Sequence, residues 1–158
     1  MIFTVFEDKN YTSLFPLNLN RASFELRCGA FTNLERIENL LSPDDTVQLV
    51  VRDELVPLVQ ERFPNITINP DFLSPGIWLN GAGLWMGEIL KNITSDRSYT
   101  KNGKVIAIHN NETIPLSDIG PYLDKVSMVS TDINIQFMEN IWDGIFLQSK
   151  IITSDVQY

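Results

Sequence analysis

Apolar residues fall into short β-branched runs alternating with helical stripes along the first half of the chain. Ile2-Phe-Thr-Val-Phe6 is a buried-strand run closed by Glu7-Asp8. Residues 9–27 carry Pro16 and several Asn residues and predict an irregular, turn-rich segment. Thr32 and Glu35 have capping-box spacing, and Leu34, Ile37, Leu40 and Leu41 share one face, which predicts a helix ending before Ser42-Pro43. Thr46–Val51 reads as a second, central strand. Asp53 to Phe63 reads as a second helix, with Pro57 in the first turn where its missing amide costs little. Asn65–Asn69 and Ile77–Leu79 supply a third and a fourth strand, and Met86–Ile93 a short helix or strand.

Ser98–Ile108 predicts a hairpin about Asn102-Gly103, because Asn-Gly supplies the positive φ angles of a tight turn. Ser117–Val126 reads as a short helix broken at Gly120-Pro121, Asn140–Gln148 as a last helix, and Ile151–Tyr158 as a trailing strand or linker. Strands and helices alternating at this spacing predict one α/β domain over residues 1–158. It would have three Rossmann-like layers, a mostly parallel central sheet and an antiparallel edge hairpin.

Composition narrows the partners. The formal net charge of −8 opposes nucleic-acid binding, which needs a cationic face. No apolar run approaches the ~20 residues of a membrane helix, and the opening residues lack a basic leader, so a cytoplasmic protein is expected. Cys28 is the only cysteine, which excludes an intrachain disulfide and reads as a buried thiol. His109, the only histidine, reads as a surface or packing residue. Ile141, Trp142, Ile145, Phe146 and Leu147 give a wide apolar face, most of it expected in the core.

The candidate chemistry lies between Phe15 and Gly29, past strand one, where α/β proteins receive anionic groups. Arg21 and Arg27 are candidate phosphate holders, since guanidinium stays charged and forks onto two oxygens. The alternative is that each pairs with Glu25, Glu35 or Asp8 and only fixes the loop.

Phe15-Pro16-Leu17-Asn18, Arg21-Ala22, Glu25-Leu26-Arg27-Cys28-Gly29 and Thr32-Asn-Leu-Glu35 together resemble the opening of divergent sugar-phosphate nucleotidylyltransferases. These are related to the N-acetylglucosamine-1-phosphate uridylyltransferases, and Trp142-Asp143 resembles the final helix of that group. The resemblance implies a nucleotidyltransferase domain that joins a sugar 1-phosphate to a nucleoside triphosphate, with Mg²⁺ neutralising the phosphate oxygens. It implies a nucleotide or sugar phosphate as ligand, with Arg21 in the catalytic role and Arg27, Asn18, Asn80 and Gly81 beside it in substrate binding. It also implies a following β-helix domain as partner, and the apolar face at residues 141–147 offers a surface to that domain or to a second subunit in a homo-oligomer.

Three departures weaken the chemistry so implied. Glu7-Asp-Lys-Asn-Tyr11 replaces a glycine-rich phosphate loop and brings two carboxylates, with only Lys9 to offset them. Ala82 stands where relatives carry a metal-binding aspartate, and no spacing selects Glu88, Asp96 or Asp118 in its place. Asn110-Asn111 follow the hairpin where relatives carry a lysine motif. A poor enzyme is one expectation. The other is a non-catalytic domain that binds a nucleotide sugar or serves assembly.

Overall fold

The protein is described by a computed structural model covering residues 1–87, 89–93, 97–101, 103–125, 129–130, 133 and 135–156. Its central strands are β1 (Ile2–Phe6), β2 (Thr46–Val50), β3 (Thr67–Ile68), β4 (Gly76–Asn80), β5 (Tyr99–Lys101), β6 (Lys104–Asn110) and β7 (Val129–Ser130). Among the described residues these seven form one sheet in the order β3-β2-β1-β4-β6-β5-β7. All run one way except β6, which is antiparallel to both neighbours. The expected hairpin is β5–β6, with Lys101 opposite Lys104, and β7 extends the sheet outside it. Gly103 takes the positive φ that the turn requires, at +76°, while Asn102 lies outside the described residues.

Period-two alternation sorts β1 onto two faces. Phe3 and Val5 join Leu49, Leu79, Leu34, Ile37 and Val59 in one core. Phe6 joins Val50, Trp78 and Ile108 in a second core, against which Ile119 and Leu123 pack. The sheet is therefore sandwiched between α1 (Asn33–Leu40) and α2 (Val56–Arg62) on one face and α3 (Ile119–Lys125) on the other. Thr4, the one polar residue of β1, is buried with its hydroxyl accepting from Gln48 Nε2 at 2.6 Å.

Local signals explain most helix ends. The Thr32 hydroxyl accepts from the Glu35 amide at 3.1 Å while the Glu35 carboxylate accepts from the Thr32 amide at 2.6 Å, the full capping box. Pro57 occupies the first turn of α2. Gly120 and Pro121 do not break α3. They sit in its first turn, where a helix tolerates proline. The expected end of that helix, Val126, lies outside the described residues.

The end of the chain departs from expectation. α4 (Asp143–Phe146) and α5 (Gln148–Asp155) are both helical, so Ile151–Asp155 is neither a strand nor a linker. The cause is tertiary. The Asp155 carboxylate accepts from Arg36 Nε at 3.0 Å and Nη2 at 2.7 Å, and from the Ala30 amide at 2.8 Å, with Ile151 fully buried beside it. The apolar face of α4 is also less buried than its composition suggests, with Trp142, Ile145 and Phe146 all exposed. Cys28 is buried as expected, and burial pushes its thiol pKa up. Among the described residues no helix is long and apolar enough to cross a membrane.

Candidate functional site

Chain order and sheet order part company at β1. The chain runs from β1 to β2 and β3 on one side, and then crosses to β4 on the other. A crevice opens outside the carboxyl ends of the strands at such a switch point. Here it is a cleft of about 550 Å³, within the usual range for small-molecule sites. Phe6, Val50, Val105, Ile119 and Leu123 give it apolar walls. Its polar groups are Glu7, Asp8, Lys9, Asn10, Tyr11, Arg52, Asn80, Lys104 and Asp124.

Arg52, two residues beyond the end of β2, organises one wall. Its Nη1 lies 2.7 Å from Glu7 Oε1, with only 2% of the Glu7 side chain and 11% of the Arg52 side chain exposed. The guanidinium also stacks 4.5 Å from the Tyr11 ring centroid. Its Nη2 donates to the Asn18 carbonyl and reaches those of Leu19 and Arg21 at 3.5 and 3.4 Å. Arg62 takes the Asn20 carbonyl at 2.9 Å and Glu25 at 2.7 Å. Two arginines thus hold the backbone oxygens of residues 18–21, which fixes the loop beside the cleft. Burial raises the pKa of Glu7, an effect that Arg52 offsets in part.

Asp8 and Asn80 meet across the switch point. Asn80 Nδ2 donates to Asp8 Oδ2 at 3.1 Å and to the Val105 carbonyl at 2.9 Å, and Asn80 Oδ1 accepts from the Ala82 amide at 2.9 Å. The Asn10 amide donates to Asp8 Oδ1 at 2.8 Å. The β1 and β4 ends are also tied by the Gly81 amide, which donates to the Phe6 carbonyl at 2.8 Å. A Cβ on Gly81 would stand 2.9 Å from Phe24 Cδ1 and 3.1 Å from that carbonyl, so the close approach requires glycine. Ala82 is buried and presents only a methyl group.

The residues expected to bind substrate divide. Arg21 is exposed, and its guanidinium has no partner among the described residues. Its own carbonyl lies 3.4 Å from Arg52 Nη2, but Arg21 is not among the residues that line the cleft. Arg27 is paired with Glu35 at 3.3 Å and donates to the Ala30 carbonyl, the loop-fixing alternative. Asn18 is fully buried, with its Nδ2 on the Tyr11 carbonyl at 2.8 Å. Asn80 and Gly81 stand together at the end of β4, Asn80 lining the cleft. Asp118 does not line it, and Glu88 and Asp96 lie outside the described residues.

Arg52 and Lys104 escaped sequence reasoning. The available signal was position, since Arg52 follows a central strand at the edge where ligands bind. Lys104 opens β6, which runs backwards and so brings its first residues to the same edge.

A family model described as sugar nucleotidyl transferase matches residues 3–158. The chain belongs to the sugar nucleotidyl transferase family. No curated protein matches it. The family accounts for the nucleotidyltransferase-like sheet, and the cleft of this sugar nucleotidyl transferase domain lies where its topology directs a ligand.

Proposed function

We propose that the switch-point cleft binds a nucleoside triphosphate and a sugar 1-phosphate and transfers the nucleotidyl group between them. This is the reaction of the N-acetylglucosamine-1-phosphate uridylyltransferases that the opening of the chain resembles. A phosphate oxygen of the sugar phosphate attacks the α-phosphorus, a P–O bond forms to it, and the bond to the β-phosphate breaks as pyrophosphate leaves. The observation that carries this reading is the cleft itself, set at the switch point of a sugar nucleotidyl transferase domain and bounded by Asp8 and Asn80.

Phosphoryl-type transfer depends on positioning and charge neutralisation. Arg21, exposed and without a partner among the described residues, takes a phosphate in this reading, and Lys9, on the cleft wall 4.0 Å from Asp124, is a second cation for it. The carboxylate of Glu7 is neutralised by Arg52 and buried, so it does not repel the incoming anion as its sequence position suggests. The apolar walls of Val50, Val105, Ile119 and Leu123 suit the nucleoside.

Mg²⁺, when bound, neutralises phosphate oxygens during such a transfer. The donor set fits an ion held mostly by phosphate: Asp8 supplies a hard oxygen on the cleft wall, and among the described residues no group of three acidic, histidine or cysteine side chains could hold a metal.

Ala82 and the loop without glycine favour a second reading, binding of a nucleotide sugar without transfer. Pyrophosphate release from nucleoside triphosphate and sugar 1-phosphate panels separates the two. Transfer is expected, with Arg21→Ala lowering its rate by about tenfold or more. Thermal shifts with nucleotide sugars but no pyrophosphate under any combination would establish the binding module instead.

A further inference from the structure

We propose that Asp8 is the carboxylate through which a Mg²⁺–nucleotide complex is held, and that the ion enters with the nucleotide instead of residing in the protein beforehand. The inference rests on the cleft being a nucleotide site, as argued above.

The carboxylates lining the cleft are not equivalent. Glu7 is buried and consumed by Arg52. Asp124 is 75% exposed on α3 and stands 4.0 Å from Lys9. Asp8 is half-buried, lines the cleft and has no cationic partner among the described residues. A carboxylate facing an incoming triphosphate repels it unless a cation arrives with the ligand.

Asp8 is also held as metal-binding carboxylates are. Each of its oxygens accepts one hydrogen bond, from the Asn10 amide at 2.8 Å and from Asn80 Nδ2 at 3.1 Å. A carboxylate oxygen has a second lone pair, so both oxygens keep capacity for an ion. Asn80 is itself immobilised by Val105 and Ala82, which makes it a positioning residue that aims Asp8. One carboxylate is too few to hold Mg²⁺ alone, and Mg²⁺ sites commonly combine one or two carboxylates with substrate phosphates. Ala82 cannot contribute, because a methyl group offers no oxygen.

Calorimetric titration of the whole chain tests this, using the nucleoside triphosphate that gives the largest thermal shift, with Mg²⁺ or with a chelator. Mn²⁺ titrated alone and followed by electron paramagnetic resonance reports any resident site. The expected results are no Mn²⁺ binding without nucleotide, and an affinity for the Mg²⁺ complex about tenfold or more above that for the metal-free nucleotide. Asp8→Asn should erase that preference while leaving metal-free affinity equal or improved, and Asp124→Asn should keep the preference. Circular dichroism melts of Asp8→Asn and Asp8→Glu guard against a folding defect, and Asp8→Glu should retain part of the Mg²⁺ effect. An undiminished Mg²⁺ preference in folded Asp8→Asn overturns the assignment, and tight Mn²⁺ binding without nucleotide overturns the order of arrival. No nucleotide binding under either condition defeats the underlying reading of the cleft, and the assignment falls with it.

Discussion

Arg52 is the residue on which the cleft wall hangs, because it neutralises a buried carboxylate and holds three loop carbonyls at once. Removing one partner of a buried ion pair leaves the other charge stranded. Arg52→Ala should therefore cost about 3–5 kcal/mol in urea denaturation at neutral pH, far more than an exposed arginine would. Glu7 has a pH signature of opposite sense to an ordinary ion-paired carboxylate. Its folded pKa is raised above 4.5, mainly by burial, so the folded chain holds the proton more tightly than the unfolded chain does. Its stabilising contribution is present below pH 4.5 and is lost as pH rises through the raised value. Wild type should gain most over Glu7→Gln in acid and least near neutrality. A difference that grows with pH would show that the attraction of Arg52 outweighs burial. Gly81→Ala should lower stability by about 1–3 kcal/mol, because Phe24 and the Phe6 backbone leave no room for the added methyl. At this scale the sequence singled out Asn80, which lines the cleft, but not Arg52. A lone arginine carries no local signal of what it will neutralise once Glu7 is folded against it.

Elements were legible where local chemistry sets them. The capping box of α1, Pro57 in α2 and Gly103 between β5 and β6 are each decided within a few residues. α5 was not legible, because Ile151-Ile152-Thr153 has strand-like composition and its helix is secured by a partner more than a hundred positions away. Arg36 and Asp155 have side chains 4% exposed, and Asp155 also accepts from the Ala30 amide. Asp155→Ala should thus destabilise the fold by about 3–5 kcal/mol. Hydrogen exchange should show α5 losing its protection first, while the amides of β1 and β4 keep theirs. Uniform loss of protection would mean that α5 unfolds only with the whole domain.

For the whole molecule, alternation of strand and helix sufficed to predict a mostly parallel α/β sheet, and the family match agrees. Strand order was not available from that pattern, and strand order makes the site: crossing from β3 to β4 over β1 opens the crevice and brings Asp8 against Asn80. The acidic composition does not bar a phosphate ligand, because Glu7 is neutralised internally and Arg21 has no partner among the described residues. The most direct test is an amide-resolved NMR titration of the whole chain with a nucleoside triphosphate panel in the presence of Mg²⁺. Ligand binding should shift the amides of residues 7–11, 52, 80, 119, 120 and 122–124 together, with one saturating concentration dependence. Saturable shifts confined to other surfaces, or none for any nucleotide, would contradict the placement of the site.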